Sequence, residues 1–257
     1  METGLNDKVA IVTGASRGIG RAIARRLSEE GMKLVIAART GELLEELARS
    51  CPGDVEPVCL DLRADEAPKQ LVERTIARFG QIDLLVNNAG ATRRGDFLTL
   101  TEADWQDGFA LKFYCAVRAA RSAWPHLCAT RGNIINIIGV GGRTGSAEFA
   151  IGGAVNAALM NLTKVLADRG ISDGVRVNAI NPGSIATDRL KTRINTLAAE
   201  RGISPDAAAG SMAEKLGIAR FGQPEEIAEL VAFLASARAG YLQGAIIDAD
   251  GGQTRTL

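Results

Sequence analysis

The chain has 257 residues and is 46% hydrophobic, enough for one α/β domain with a sizeable core; its 30 lysines and arginines balance 30 aspartates and glutamates. Zero net charge without a charge run leaves no footprint for a nucleic-acid partner, and no apolar run approaches the ~20 residues of a membrane span. A single histidine, His126, argues against a histidine triad or a multi-histidine metal site. Cys51, Cys59, Cys115 and Cys128 show no C-x-x-C spacing and read as reduced core residues, so no metal is expected. The N-terminus lacks a charged-then-apolar leader pattern, which points to a cytoplasmic protein.

Val9–Val12 is an apolar run with the composition of a buried strand. Gly14, Gly18 and Gly20 follow, and Arg21 to Leu27 then carries helical periodicity. Strand, glycine turn and helix together aim backbone N–H groups at a phosphate, and the helix dipole adds partial positive charge there. The spacing is G-x-x-x-G-x-G, and alone it also fits a plain tight βα turn.

Further strand-like runs are Leu34–Ala37, Val55–Leu60, Leu84–Val86, Ile134–Ile138, Val175–Ile180 and Ala245–Ile247. Helical patterns separate them at 18–30, 41–50, 65–79, 102–130, 149–169 and 224–235. This alternation predicts a doubly wound parallel seven-stranded sheet with helices on both faces and ligands at the carboxyl ends of the strands. No linker divides the chain, so residues 1–257 read as one domain. The long interruption at 188–220 is polar and helix-prone, an insertion placed to act as a substrate lid or, more plainly, a surface helical pair.

The second strand ends at Ala38, and Arg39 follows where a dinucleotide fold that prefers NAD carries an acid. Arg17 can approach the same place, so the pair favours the 2′-phosphate of NADP over NAD; otherwise both are solvated surface arginines. Asp61, followed by Leu62, ends the third strand and either accepts from an adenine amino group or caps its own turn. Asn87 ends the fourth strand, and Ala89 and Gly90 leave room for a ligand to approach.

With these stretches in place the chain resembles the short-chain dehydrogenase/reductase family over nearly its whole length. The carrying motifs are Thr13-Gly-Ala-Ser-Arg-Gly-Ile-Gly20, Asp61, Asn87-Asn-Ala-Gly90, Asn178-Ala-Ile-Asn-Pro-Gly183 with Thr187, Gly222-Gln-Pro-Glu-Glu-Ile227 and Asp250-Gly-Gly252. The resemblance implies a Rossmann-type fold and a bound nicotinamide dinucleotide. It assigns Gly14, Ser16, Arg17, Gly18 and Ile19 to the phosphate site. Asp61 and Leu62 fall beside adenine, and Asn87, Ala89 and Gly90 along the path to nicotinamide. Pro182, Gly183, Ile185 and Thr187 fall at the nicotinamide end. It also implies a homotetramer or homodimer, built partly from the helices at 102–130 and 149–169.

The departure lies at the reaction centre. The family works with a serine, a tyrosine and a lysine four residues later, and often an asparagine in the preceding long helix. Aligned on Ala157-Ala-Leu159, these positions fall on Gly139, Ile151 and Val155, and the asparagine, counted from Trp105, falls on Lys112. Glycine, isoleucine and valine offer no proton to a developing alkoxide. Lys112 is the tentative catalytic residue, a relocated lysine near ribose or a substrate oxygen; otherwise it snorkels, stem on apolar neighbours and head in water. Arg143, Glu148, Asn156, Ser184, Asp188 and Arg189 are further polar residues nearby, each read more readily as surface or loop. Two functions stay open: an NADP(H)-dependent oxidoreductase acting on an unidentified small molecule through a non-standard centre, or an NADP(H)-binding protein without redox turnover.

Overall fold

The computed structural model describes residues 3–255. Strands β1 (Val9–Thr13), β2 (Lys33–Ala38), β3 (Val55–Cys59), β4 (Leu84–Asn87), β5 (Asn133–Ile137), β6 (Arg176–Pro182) and β7 (Ile246–Ala249) form one sheet in the order β3-β2-β1-β4-β5-β6-β7. Every neighbouring pair is parallel. The strand order reverses between β1 and β4, the switch point where a ligand crevice opens at the carboxyl ends.

Helices cover both faces: α1 (Gly18–Glu29), α2 (Gly41–Ser50), α3 (Ala67–Phe79), α4 (Glu102–Gly108), α5 (Cys115–Thr130), α6 (Ala150–Asp173), α7 (Asp188–Arg201), α8 (Pro205–Leu216) and α9 (Pro224–Ala235). Alternate strand residues point to opposite faces. Ala10 and Val12 thus join Ile23, Leu27 and Val231 in one core, while Ile11 joins Leu71, Ala119 and Leu127 in the other. The strand and helix expectations hold to within a few residues.

Two differences stand out. The pattern at 102–130 is not one α-helix: α4 and α5 are joined by a π-helical stretch, Phe109–Tyr114, that contains Lys112. With the turn before it, Ala147–Asp173 is long and apolar enough to match a membrane span, where the sequence pattern showed none. In the fold this helix lies against the sheet through Leu159, Thr163 and Ala167, and its outer side exposes Val165 and Ile171 at 56% and 72%.

The excursion at 188–220 is the helical pair α7 and α8. Its two ends are tied together by a parallel bridge between Ile185 and Gly222, with the Ala186 amide donating to the Gly222 carbonyl at 2.7 Å. The pair therefore hangs from a fixed base at the carboxyl edge of β6.

The β1–α1 turn is clamped to β4. Asn88 Nδ2 donates to the carbonyls of Thr13 and Gly14 at 3.0 and 3.1 Å. Thr13 Oγ1 donates to the Val86 carbonyl at 3.1 Å and accepts from the amides of Asn88 and Ala89. Gly14 and Gly18 have φ of +69° and +54°, conformations that side chains rarely adopt. A Cβ on Gly20 would overlap Gly14 O and Asn88 Nδ2. Gly20→Ala should therefore cost about 1–3 kcal/mol of stability in urea denaturation, the range for overpacking. Gly145→Ala, where a Cβ meets nothing within 4 Å, should leave the midpoint unchanged.

Candidate functional site

The turn presents a surface free of side chains. Gly18 faces Thr187, whose Cγ2 lies 3.1 Å from where a Gly18 Cβ would sit, and these two form opposite walls at the N-terminus of α1. A cavity of about 640 Å³ opens beside them, with Ser16, Arg17, Arg21, Lys191 and Phe221 in its lining. Arg17 is largely exposed and pairs loosely with Asp188 at 3.4 Å. Arg39 follows β2 and is also exposed. Both guanidinium groups are available to a phosphate.

Along the sheet edge, Asn87 is buried and donates to Asn136 Oδ1 at 2.9 Å, while its own Oδ1 has no partner among the described residues. An orphaned acceptor at the carboxyl end of a central strand is satisfied when a ligand hydroxyl reaches it. Asp61 caps its own turn, accepting from the Arg63 amide at 3.1 Å and pairing with the Arg63 side chain. Leu62 is buried with a core cluster, so it can meet a ligand only through its backbone. Ile19 packs against the core beneath the turn. On the other side Pro182 and Ile185 are buried, and Gly183 lies so close to Asp250 that a Cβ would stand 2.7 Å from its Cβ. Glycine cradle, two exposed arginines and an unpartnered acceptor at the carboxyl ends of the strands fit a phosphorylated dinucleotide.

Lys112 is enclosed beside Gly90 and Gly139. Its Nζ donates to the Ile138 carbonyl at 2.5 Å and to Asn156 Oδ1 at 2.6 Å. Asn156 Nδ2 donates in turn to the Gly139 carbonyl at 3.2 Å. The lysine stem runs past Gly90, where a Cβ would lie 2.9 Å from Lys112 Cδ. The head is thus held inside rather than snorkelling to water. Burial of the ammonium, with the positive field of Arg189 second, lowers its pKa from 10.5 to about 7. The wide π-helical turn sets the position from which this stem enters, and such turns recur at functional sites.

The spacing argument placed Ile151 and Val155 on this face, and the structure corrects it by one residue. Both are 0% exposed and core-facing, and Ile151 Cγ2 lies 2.6 Å from where a Gly108 Cβ would be. The α6 side chain that reaches Gly139 and Lys112 is Asn156, and Gly152 lies one turn before it on the same face. One helical position rotates a side chain by about 100°, so a one-residue slip in alignment exchanges the core face for the site face. Gly139 is where it was expected, with φ +130°, backbone that disfavours a side chain. A Cβ on Gly152 would overlap the Phe149 ring, which also lies 2.7 Å from a Gly141 Cβ. Phe149 therefore fills the volume beside Gly152, and the Arg94 guanidinium sits over its ring at 4.1 Å. The two tyrosines are elsewhere: Tyr114 is 47% exposed, with Arg118 over its ring, and Tyr241 is fully exposed.

Three residues of this centre were not assigned from sequence: Gly152, Phe149 and Arg94. Asn156 was noted only as a loop or surface candidate. Its signal was present in the pattern Gly152, Asn156, Leu159, Thr163, where an amide sits on a buried stripe.

A switch-point crevice with a glycine turn and a lysine at its end defines a dinucleotide-binding type of α/β protein. A family model described as enoyl-(acyl carrier protein) reductase matches residues 14–254. The 3-oxoacyl-[acyl-carrier-protein] reductase FabG of Thermotoga maritima is 31% identical, the alignment covering 96% of this chain and 98% of that protein. The meso-2,3-butanediol dehydrogenase of Serratia marcescens is 34% identical over 97% of this chain and 95% of its own. The structure of L-sorbose reductase from Gluconobacter frateurii, complexed with NADPH and L-sorbose, superposes with a TM-score of 0.96 at 36% identity over 100% of both chains. YwfH, an NADPH-dependent reductase involved in bacilysin biosynthesis, superposes with a TM-score of 0.91 at 29% identity over 98% of this chain and 100% of its own. The chain belongs to the short-chain dehydrogenase/reductase family, and an oxidoreductase-type Rossmann fold is what it shares with these relatives.

The fit between Phe149 and Gly152 can be measured. Gly152→Ala should destabilise by about 1–3 kcal/mol by overpacking. In Phe149→Ala the same change should be far milder, giving a coupling of about 1 kcal/mol or more in a double-mutant cycle read by urea denaturation.

Proposed function

We propose that this protein is an NADP(H)-dependent oxidoreductase of small-molecule carbonyls and alcohols in which Lys112 handles the proton. The observation that carries the reading is the Lys112 ammonium, held in the cleft by two acceptors with its pKa near neutrality. The relatives solved with NADPH and the FabG reductases support the cofactor and the reaction class. Gly14, Ser16, Gly18, Ile19 and Thr187 would hold the pyrophosphate, Arg17 and Arg39 the 2′-phosphate, and Asp61 and Leu62 the adenine. Asn87, Ala89, Gly90, Pro182, Gly183 and Ile185 would flank the nicotinamide nucleoside.

Bound there, the cofactor supplies or accepts the hydride. An ammonium has three N–H donors, and Lys112 uses two on Ile138 and Asn156, leaving one for a substrate oxygen. After giving up that proton the neutral amine keeps two N–H groups, enough for the same two acceptors. Both protonation states are therefore satisfied without rearrangement. A pKa near the working pH suits a group that must give and take a proton. Relative to the family pattern, the amine and the amide have changed places: Asn156 stands four residues past Gly152, and the lysine comes from the π-helical turn. α7 and α8 serve as the substrate lid.

The second reading, a dinucleotide-binding protein without turnover, is favoured by Gly139 and Gly152, which bring no hydroxyl. Fluorescence titration with NADPH and NADH, followed by a screen of carbonyls and alcohols for change in the absorbance of the reduced nicotinamide, separates the two. Turnover that Lys112→Met removes, with NADPH binding preserved, is the expected result. NADPH binding with no turnover on any substrate selects the second reading, and preference for NADH overturns the roles of Arg17 and Arg39.

The pH dependence has a definite sign. Reduction consumes a protonated Lys112, so its rate should fall as pH rises through about 7, while alcohol oxidation should rise. The lysine is also protonated more readily in the unfolded chain, where its pKa is 10.5. The unfolded state then binds more protons between about pH 7 and 10.5, so this group's contribution makes stability increase with pH across that window. Thermal denaturation of Lys112→Met should lack that increment.

We also propose a homodimer or homotetramer assembled through the outer faces of α5 and α6, in the cytoplasm. Val165 and Ile171 leave apolar surface exposed on α6. Trp124 on α5 donates to Asp173 at 2.8 Å and fixes the two helices as one face. The free thiols support a reducing location. Light scattering after gel filtration should give a multiple of the 27.0 kDa chain, reduced to a smaller species by Val165→Glu with Ile171→Glu.

A further inference from the structure

Arginines from two elements stand about the Lys112 end of the site. Arg94, on the loop after β4, sits over the Phe149 ring at 4.1 Å, a cation–π contact that holds the guanidinium in place. Arg189, in the first turn of α7, donates to the Gly90 carbonyl at 3.0 Å, and Gly90 is the residue over which the Lys112 stem runs. Arg193 is one helical turn further, on the same face of α7. The three come from two sides of the cleft and meet electrostatically: the charge of Arg189 acts on both Lys112 and Arg94, and that of Arg193 acts on Arg94. Burial and these neighbours lower the Arg94 pKa, against which Glu148 is the one opposing carboxylate.

Two neighbouring arginines are paired. Arg93 pairs with Asp104 at 3.0 Å, and Arg17 with Asp188 at 3.4 Å. Arg94, Arg189 and Arg193 take part in none of the ion pairs among the described residues. In a chain of zero net charge, three guanidinium groups outside the ion pairs act on this end of the site, Arg189 and Arg193 on Arg94 and Arg189 on Lys112. An incoming oxyanion offsets these like charges and finds fork-shaped donors that match its geometry.

We infer that the substrate is a carbonyl or alcohol compound bearing an oxyanion, a carboxylate or a phosphate, which Arg94, Arg189 and Arg193 grip while its reacting oxygen faces Lys112. The inference rests on the reading that Lys112 faces a substrate oxygen, and it adds the class of molecule. It also gives the rim a second effect: a bound anion offsets the field of Arg189 on Lys112 and favours the protonated amine that reduction needs.

The test uses the full chain saturated with NADP+, which has no hydride to give a ketone, titrated by calorimetry at fixed ionic strength with four probes. Acetoacetate carries a carboxylate and dihydroxyacetone phosphate a phosphate; butanedione and dihydroxyacetone are the neutral counterparts. At least one anionic probe should bind about tenfold or more tighter than its neutral counterpart, as electrostatic complementarity predicts. Arg94→Gln and Arg193→Gln should each erase most of that difference, while Arg49→Gln, on the far surface of α2, should not. Which anion wins assigns carboxylate or phosphate. Equal affinity for charged and neutral probes, no binding of any probe, or indifference to both substitutions overturns the inference. A separate NADPH titration by fluorescence distinguishes the outcomes: failure there removes the proposed function itself, whereas intact NADPH binding with no anion preference removes only the substrate class.

Discussion

A primary amine enclosed at the end of a cleft must keep an acceptor for nearly every N–H it carries, and that requirement organises this site. Unpaired, a buried ammonium costs far more than any single contact returns. Lys112 is reconciled with its place by the Ile138 carbonyl at the end of β5 and by Asn156 on α6. Each partner is itself fixed. Ile138 donates its amide to the Ile180 carbonyl at 2.8 Å, which welds the loop after β5 to β6. Asn156 is 2% exposed and spends its amide on Gly139. The lysine is therefore pre-organised by the sheet, not by a mobile loop.

The sheet edge that holds these partners is stitched by asparagines. Asn87 donates to Asn136, and Asn136 donates to Thr163 on α6 at 2.9 Å, so β4, β5 and the helix move as one body. Asn181 accepts from the Gly139 amide at 3.4 Å and donates to Asp248 at 2.8 Å, which pairs with Arg143. These side chains lie at carboxyl ends, where the ladder runs out and backbone groups need other partners. The same edge that binds a ligand must be rigid before it arrives, and short amides bridging adjacent strands meet both needs.

Much of the fold was legible because its signals are local and periodic. Apolar runs separated by amphipathic helices, and glycines at the first βα turn, follow from burial and backbone sterics alone. Gly14 and Gly18 came with that turn, whereas Thr187, which faces Gly18 across the fold, came only from the family resemblance and was assigned to the nicotinamide end. What did not read from sequence depends on rotation and on through-space contact. Nothing local marks Phe149 as the ring that fills the space over Gly152, and nothing in the run 109–114 announces a π-helical turn. The face of α6 was displaced by one residue for a related reason: Ile151 and Val155 have the same four-residue spacing as Gly152 and Asn156. Hydropathy separates the two pairs, because Ile151 and Val155 belong to the core stripe and Asn156 does not. Asp61 shows the reverse case, where both readings of a strand-end carboxylate were available and one oxygen is already spent on its own turn.

The proposed exchange of amine and amide changes what the backbone needs to be. A serine or tyrosine mechanism requires side chains at 139 and 152, and here each position is closed to one. Gly139 sits at φ +130°, and the volume beside Gly152 belongs to Phe149. Adding back a single hydroxyl would thus meet strain or a ring before it met substrate. The replacements are mutually supporting: glycine at 152 admits Phe149, Phe149 supports Arg94, Gly90 admits the lysine stem, and Asn156 accepts from the lysine head. Residues lost by drift leave cavities and orphaned donors; these leave a packed ring, a stacked guanidinium and a satisfied amine. That consistency across independent elements is what supports the proposal of a site with a different distribution of charge, cations at the rim and an amine below.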